Sequence, residues 1–531
     1  MRGYQITGIA LIIVLTVTVV FSLPKGDRPK GGPDAVNSPS VLRMSLSAEP
    51  PTLDWSLATD NVSIRIIENI MEGLTEYDDA LRPIPAIAKD WEVSSDGLRY
   101  RFYLRGDVFW TDGVRVTAHD FEYAWKRLLN PATASEYAYF LYDVVNAAEY
   151  NSGVVKDPAL VGVRALDDHT LWVDLKRPAV YFPSITTFTA TFPQRKDLIE
   201  RYQNRWTEPE HLVTCGAFRL DEWRHEYRLT LSANDHYYGG RPSLDQVLFY
   251  VIEEEMTALT LYETGGLDRV SLPPVAIPSY QRHPDYRHAA FLRGYYYGFN
   301  TTTAPFNDRR VRQGFSMAID REELPKILKG GEMPASSWVP PGMLGHNPDI
   351  GLGFNPEGAR RLLAEAGFPE GRGFPEITLA FNSDPTNRLI AENIHAQWRR
   401  NIKVNVILDS MEWKVYLRRL KDDTPQIFRL GWGADYPDPD NFMNLFTSTS
   451  GNNNTHWGNA RYDRLISEAA SEPDEKRRIT RYDEAQRILT EQEAPIMPLF
   501  FAAQNILIKP DVEGLALNAM DMLHLKKVRR R

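Results

Sequence analysis

The chain has 531 residues, of which 43% are hydrophobic and 25% are charged, and its formal net charge is -9. At roughly 150 residues per domain, this length predicts three or four domain-sized units and excludes a single small module. The composition is that of a soluble globular protein, so disorder, fibres and multi-span membrane proteins are excluded. The acidic balance argues against nucleic acid as a partner, because nucleic-acid binders usually present a basic face.

The first 40 residues predict a targeting segment and a linker, and no folded domain. Arg2 precedes an uncharged stretch of about the length that crosses a bilayer, so residues 1–23 are either a secretory signal peptide or an N-terminal membrane anchor. Residues 24–40 carry four prolines and three glycines, which predicts a flexible linker. We therefore expect the folded part to lie in the periplasm or another extracytoplasmic space, tethered to the cytoplasmic membrane if the segment is not cleaved.

After the linker, strand and helix signals alternate without a repeat. The aromatic run Arg99 to Leu104 predicts a strand, and the turn residues Asp112 and Gly113 beyond it predict a hairpin. Thr117 and Asp120 have the spacing of a capping box, which predicts the start of a helix.

Residues 355–440 have the clearest pattern of the chain. Apolar residues recur at helical spacing and in strand alternation by turns, which predicts a β-α-β-α-β unit. Ligands of such sheets bind beyond the carboxyl ends of the strands. The loop from Gly433 to Asp440 follows one of these strands, so we expect site residues there.

Enzyme motifs are absent from the sequence. There is no HExxH, GxSxG or GxxxxGK, so we expect a protein that is not an enzyme. The acids Asp435, Asp438 and Asp440 do not fit an EF-hand. They are either site residues or turn-formers that cap the next helix at Asn441.

The cysteine and histidine residues indicate neither a disulfide nor a metal site. Cys215 is the only cysteine, so an intrachain disulfide and a cysteine-rich zinc site are excluded. The 11 histidines include no close helical pair, and we expect neither a metal nor a cofactor. The aromatic content, with 12 Trp, 25 Tyr and 23 Phe, suits cores and cavities that hold apolar or flat ligands.

The C-terminal end is basic, with Lys526, Lys527 and Arg529 to Arg531. We expect this end to be a solvated tail.

Seven strings, in order from about residue 43 to 520, resemble the oligopeptide-binding proteins of bacterial ABC peptide importers. They are EPPTLD (Glu49 to Asp54), IMEGLTEYD (Ile70 to Asp78), WEVSSDGLRYRFYLR (Trp91 to Arg105), VTAHDFEYAWKRLLNP (Val116 to Pro131), GFNTTTAPFNDRRVRQGFSMAIDR (Gly298 to Arg321), GWGADYPDPDNFMNLF (Gly431 to Phe446) and PIMPLFFAAQNILIKP (Pro495 to Pro510).

The resemblance implies an α/β fold with two lobes of the periplasmic-binding-protein type (cluster C), in which mixed sheets are flanked by helices. Residues 41–58, 183–286 and 503–531 would form lobe I, residues 59–182 an extra domain on it, and residues 287–502 lobe II. The lobes would close over an oligopeptide, and the closed form would deliver it to permease subunits with cytoplasmic ATPases. We expect a monomer that contacts no nucleic acid.

The resemblance also implies the site residues. Asp435 is the acid of the family's WxADY motif and would hold the α-ammonium of the peptide. Trp432, Trp413 and Tyr123 would be wall aromatics, and Gly431 and Gly433 would let the peptide backbone approach. Thr59 and Asn61 would line the ligand from the first lobe.

Arg429 occupies the position of an arginine that can meet the peptide carboxylate, and a guanidinium fork suits that role. In an ideal strand, however, Arg429 and Trp432 point to opposite faces, so only a bulge or bend would bring both to one cavity. Asn387 stands where some relatives have a histidine, which weakens a carboxylate subsite and leaves the peptide length open. Some relatives also have a disulfide-bonded cysteine at the position of Gly433, and this chain lacks that brace.

Alternatives remain open at this point. The ligand could be another solute, such as a glycan, a metal chelate or a signalling peptide, and the closed form could report to a receptor instead of an importer. A secreted hydrolase that uses paired carboxylates is the competitor from another class.

Overall fold

The computed structural model describes residues 40–531. The signal or anchor predicted for residues 1–23 lies outside the described residues, as does the predicted linker up to residue 39. Between residues 40 and 531, none of the helices combines the length and apolar character that a membrane span requires.

Three sheets organise residues 40–531. In spatial order, the strands of the first-lobe sheet are Val41–Leu46, Gln246–Val251, Arg228–Ala233 and Phe218–Arg224. Those of the extra-domain sheet are Ala88–Val93, Arg99–Leu104, Thr170–Asp174 and Val163–Asp167. Those of the large sheet are Arg269–Ser271, Ile496–Ile508, Tyr286–Phe299, Ile427–Gly433, Thr378–Asn382 and Ile407–Met411, and Met333–Pro334 pairs with its second strand. Two short pairs are Thr75–Tyr77 with Pro83–Pro85, and Val512–Glu513 with Arg529–Arg530.

Helices flank these sheets. The longer ones are Asn61–Ile70, Ala118–Leu129, Glu255–Glu263, Arg309–Met317, Pro356–Glu365, Pro385–Ile402, Trp413–Asp422, Ala460–Ser471 and Glu475–Arg487. Shorter ones are Ala147–Asn151, Phe182–Ile185, Lys196–Tyr202, Ile277–Tyr280, Glu323–Leu328 and Asp440–Met443. The mixed sheets and flanking helices confirm the predicted α/β class.

The predicted β-α-β-α-β unit is confirmed. Strand Thr378–Asn382 pairs in parallel with Ile407–Met411 on one side and with the start of Ile427–Gly433 on the other. Helices connect the strands, because a parallel pair needs a crossover connection. The carboxyl end of Ile427–Gly433 therefore points to the loop in which Asp435 lies.

Both faces of the large sheet are buried, so its strands carry aromatic side chains on both sides. Tyr295 and Tyr297 lie in the core on one face, whereas Tyr296 packs with Trp338 and Phe446 in the core on the other face. A further core joins the first-lobe sheet to the extra domain. The boundaries predicted for the two lobes and the extra domain stay a prediction.

The early helix and strand predictions are confirmed, and the predicted hairpin is present as a short one. Strand Arg99–Leu104 has the predicted bounds, and the Asp120 carboxylate accepts from Thr117 N at 2.8 Å as a capping box requires. Beyond the strand, the Asp112-Gly113 turn closes an antiparallel bridge between Phe109 and Arg115, and Val116 N donates to Val108 O at 3.0 Å. The strand Arg99–Leu104 itself is not part of this hairpin. The neighbours of Arg99–Leu104 in the sheet are instead the first and third strands of the extra domain.

The C-terminal end is not a solvated tail, which corrects that expectation. The Lys526 ammonium lies 2.8 Å from the Glu72 carboxylate and also contacts Glu76. Arg530 pairs with Asp511 at 2.6 Å. The basic end is therefore fixed by ion pairs with residues 72 and 76 and with the nearby Asp511.

Candidate functional site

Asp435 lies between the end of the strand Ile427–Gly433 and Tyr139. It follows the strand Ile427–Gly433, and its backbone N donates to Asn441 Oδ1 at 3.0 Å. Its Oδ2 accepts from Tyr139 OH at 3.0 Å and from Asn441 Nδ2 at 3.4 Å. Tyr139 precedes Asp435 by 296 positions, so this carboxylate is held by residues from two distant parts of the chain.

The Asp435 carboxylate carries an uncompensated charge. Burial raises its pKa to about 6, and the hydrogen bonds from Tyr139 and Asn441 offset only part of that rise. Among the described residues it forms no salt bridge. A buried charge is costly unless it is paired, so the arrangement favours a cationic group brought in by a ligand.

Two neighbouring cavities open beside this carboxylate. The larger measures about 230 Å³, and its lining includes Asn61, Arg65, Glu68, Arg293, Asp435 and Asp521. The smaller, of about 80 Å³, shares Asn61, Glu68 and Asp435 and adds Tyr137. Burial raises the pKa of Glu68 to about 7. The two lobes thus enclose a space with acidic and basic groups on its wall.

The strand Ile427–Gly433 has one open edge beside this space. Among the described residues, its neighbour on that side pairs only with the first two residues of the strand. On the opposite side, Ala434 N donates to Leu292 O at 2.8 Å. Since bonded and non-bonded pairs alternate in an antiparallel ladder, the backbone groups of Gly431 and Gly433 point to the open edge. An extended ligand can hydrogen-bond there.

Trp432 faces a different and larger cavity. Its Nε1 donates to Asn441 Oδ1 at 2.9 Å, and it packs against the core on its side of the sheet. The cavity measures about 620 Å³, and its lining includes Tyr139, Arg177, Trp432 and Asp440. Asn441 and Tyr139 therefore separate this cavity from the one that contains Asp435.

Arg429 lies on the opposite face from Trp432, as the strand period predicts. Its guanidinium stacks 4.5 Å above the Tyr295 ring and donates to Asn382 Oδ1 at 3.3 Å. Tyr295 OH donates to Asn387 Oδ1 at 3.0 Å, and Asn387 is buried. The structure brings Arg429 and Asn387 into one polar cluster, separate from Trp432.

The remaining candidates are spread out. Asn61 begins the helix Asn61–Ile70 and lines the cavities beside Asp435, whereas Thr59 is exposed and lines neither of them. Tyr123 packs against the core of the first lobe and lines neither of them. Trp413 begins a helix, and its side chain lies outside what the structure describes.

The two other acids of the loop have structural contacts, in line with the turn-former alternative. Asp438 Oδ1 accepts a hydrogen bond from Asp440 N at 2.9 Å, where a short helix begins. Its two carboxylate oxygens also accept from the two terminal guanidinium nitrogens of Arg478, each at 2.6 Å. Asp440 is buried and accepts from Tyr436 OH at 3.1 Å. Only Asp435 of the three lines the cavities of about 230 and 80 Å³.

The sequence reasoning missed four residues around Asp435: Tyr139, Asn441, Arg293 and Glu68. Tyr139 lies in the tyrosine-rich string EYAYFLY, whose density was a usable signal. Arg293 lies two residues before the run of tyrosines at positions 295–297 in a strand, and this position was a second usable signal. Glu68 sits on an amphipathic helix, and no pattern distinguished it from a solvated residue.

Comparison with known proteins finds similarity over most of the chain. The family model "Bacterial extracellular solute-binding proteins, family 5 Middle" matches residues 82–454. The dipeptide-binding protein DppE of Bacillus subtilis is 34% identical over 500 residues, covering 92% of this chain and 91% of DppE.

Two solved structures are similar in fold. The Escherichia coli murein tripeptide binding protein MppA has a TM-score of 0.78 and 31% identity, covering 92% of this chain and 98% of its own. Haemophilus influenzae OppA in complex with RPPGFSPFR has a TM-score of 0.76 and 28% identity, covering 92% and 99%.

Proposed function

Since the chain belongs to family 5 of the bacterial extracellular solute-binding proteins, we propose that it captures oligopeptides between its two lobes and delivers them to a membrane permease. The permease would be powered by cytoplasmic ATPase subunits. The protein would act as an extracytoplasmic monomer, held at the membrane if its N-terminal segment is retained. It would bind its ligand without chemical conversion.

The observation that carries this proposal is the Asp435 carboxylate. It is half-buried beside Tyr139, and it forms no salt bridge among the described residues. A peptide supplies the missing charge with its free α-ammonium. Asp435 would therefore anchor the first residue of the peptide.

The open strand edge supports a peptide rather than another solute. Backbone groups of Gly431 and Gly433 are available to an added strand, and main-chain pairing is shared by all peptides. The peptide would run from Asp435 back along this edge, towards the face that carries Arg429. A glycan or a metal chelate offers neither the ammonium nor the regular donors and acceptors of an extended backbone.

Calorimetry with trialanine and N-acetyl-trialanine tests the proposal. Acetylation removes the positive charge and leaves the rest of the ligand unchanged, so we expect it to weaken binding by about two to three decades or more. The variant Asp435→Asn should lose this discrimination. Equal affinities of the wild-type protein for the two ligands would contradict the anchoring role.

A native mass spectrum of the purified protein addresses the alternative ligands. A co-purified mass that matches peptides supports the proposal, and a glycan or metal-chelate mass rejects it. Incubation with trialanine followed by chromatography tests the hydrolase alternative, for which product formation is required.

A further inference from the structure

We propose that the smaller cavity beside Asp435 holds the side chain of the first ligand residue, and that Glu68 selects lysine or arginine at this position. This inference rests on the proposed function and specifies its substrate class, which is peptides that begin with a basic residue. Asp435 would bind the α-ammonium, and Glu68 would bind the second positive charge of the same residue.

The smaller cavity has the wall that a long basic side chain requires. Apolar and aromatic groups form most of its lining, among them Ile64, Tyr77, Tyr137, Phe188, Met520 and Met522. Two carboxylates, Asp435 and Glu68, lie on the same wall, and none of the described residues that line it is basic. Lysine and arginine combine an apolar stem with a charged end, so they can contact both kinds of group.

Glu68 reaches this cavity from the helix Asn61–Ile70. Asn61, Ile64 and Glu68 recur at helical spacing, so one face of the helix lines the cavity. The α-carbon that carries the ammonium of a peptide also carries its first side chain, so a peptide held at Asp435 would start that side chain beside the cavity. At roughly 10–15 Å³ for each water-sized atom, the volume of about 80 Å³ accommodates about five to eight atoms. The four-carbon stem and the ammonium of lysine fit this volume.

The half-buried Glu68 carboxylate forms no salt bridge within residues 40–531. Arg65 and Lys526 share cavity walls with it, but Arg65 pairs with Asp521 at 2.6 Å and Lys526 pairs with Glu72 at 2.8 Å. Burial raises the pKa of Glu68 to about 7, although the charge of Arg65 and a backbone hydrogen bond lower it. A cation brought by the ligand would favour the ionised carboxylate, because an opposite charge nearby stabilises the charged form.

The larger cavity suits a basic side chain less well. Arg65 and Arg293 both line it, and neither lines the smaller cavity. Burial and the charge of Arg429 lower the pKa of Arg293, and the charge of Asp521 offsets part of this effect. Asp521 therefore acts on bases that the protein already provides. Because a further cation would meet like charges there, a basic first side chain would enter the smaller cavity.

Calorimetry with Lys-Ala-Ala, norleucine-Ala-Ala and Ala-Lys-Ala tests the proposal. Norleucine has the stem of lysine without the ammonium, so we expect the wild-type protein to bind Lys-Ala-Ala about 10- to 100-fold more tightly than norleucine-Ala-Ala. Glu68→Gln should bind these two peptides equally, and Glu68→Asp should keep part of the preference. Ala-Lys-Ala should gain nothing over trialanine, because successive side chains of an extended peptide point in opposite directions.

Two controls distinguish a local contact from a general effect of charge or of folding. Asp79→Asn removes a negative charge from an exposed ion pair outside the cavity and should keep the lysine preference. Glu68→Gln should still discriminate against N-acetyl-trialanine, which shows that this variant is folded and retains its ammonium anchor.

Three results would overturn the inference: equal wild-type affinity for Lys-Ala-Ala and norleucine-Ala-Ala, a preserved lysine preference in Glu68→Gln, or an equal loss of that preference in Asp79→Asn. In each of these cases peptides still bind, so the proposed function stands and only the inference fails. If the wild-type protein binds neither trialanine nor any of the other tripeptides, the proposed function fails and the inference fails with it.

Discussion

Replacement of Asp435 by Asn should stabilise the empty protein while it abolishes tight peptide binding. Asn has the same shape and keeps an oxygen that accepts from Tyr139 OH and Asn441 Nδ2. It removes the charge and replaces the other carboxylate oxygen with an amide NH2 group. Any effect on stability can therefore be assigned to the cost of an ionised carboxylate in this enclosed position.

The magnitude follows from the pKa of the group. Burial raises the pKa of Asp435 from 3.8 to about 6, and each pKa unit corresponds to about 1.4 kcal/mol, so the charge costs up to about 3 kcal/mol at pH 7. The folded state holds the proton more tightly than the unfolded state. The cost is therefore complete above pH 6 and disappears as the pH falls towards 4. Asp435→Asn should be more stable at pH 7 and equal to wild type at pH 4.

Asp435→Asn should weaken peptide binding, although it stabilises the empty protein. Loss of one partner of a buried ion pair costs on the order of 3–5 kcal/mol, which is two to three and a half decades in affinity. In the wild-type protein, binding needs ionised Asp435 and a protonated peptide amine, whose ordinary pKa is about 8. Affinity should therefore be highest between about pH 6 and 8 and fall about tenfold per unit on either side.

Urea unfolding at pH 7 and pH 4, together with calorimetry of trialanine at pH 5, 7 and 9, measures both effects. Glu68→Gln is the control, because the pKa of Glu68 is raised to about 7 in the same cavity. Glu68→Gln should keep the decline of affinity below pH 6. Unchanged stability of Asp435→Asn at pH 7, or constant wild-type affinity from pH 5 to 7, would refute the reasoning.

Three further substitutions test other contacts. Tyr139→Phe removes a hydrogen bond that lowers the pKa of Asp435, so the acidic decline of affinity should move to higher pH in calorimetry. Lys526→Met removes the cation beside the buried Glu72 carboxylate, which keeps the hydroxyl donors of Tyr237 and Tyr238, and should cost roughly 2–3 kcal/mol in urea unfolding. Lys527→Met at an exposed pair should cost less than about 1 kcal/mol. Gly431→Ala places a Cβ 2.9 Å from a backbone oxygen and should cost about 1–3 kcal/mol; Gly433→Ala, with 3.5 Å of room, should be tolerated in the same assay.

Local sequence pattern predicted the elements that depend on local physics. The capping box at Thr117 and the β-α-β-α-β unit follow from side-chain spacing, which is set by the geometry of one helix or one strand. The Asp-Gly turn after Arg99–Leu104 forms a short hairpin, as local pattern predicted. The sheet neighbours of Arg99–Leu104 come from other parts of the chain and could not be predicted, because strand partners are chosen by tertiary packing.

The surroundings of Asp435 could be predicted only in part. The motif and the strand end located the acid itself, because ligand loops follow the carboxyl ends of such strands. Tyr139 and Glu68 come from segments about 300 and 370 residues away, and their approach depends on how the lobes pack. The same limit applies to Lys526, whose burial depends on carboxylates more than 400 residues earlier.

The energetic cost of Asp435 connects ligand capture to lobe closure. An uncompensated carboxylate opposes closure of the empty protein by up to about 3 kcal/mol, since opening returns it to water. A bound ammonium removes this opposition, so the ligand favours the closed state by its differential interaction. Asp435→Asn should accordingly close more readily without a ligand. A smaller radius of gyration for the empty variant than for the empty wild type in X-ray scattering is the expected result, and identical radii would show that this carboxylate does not control closure.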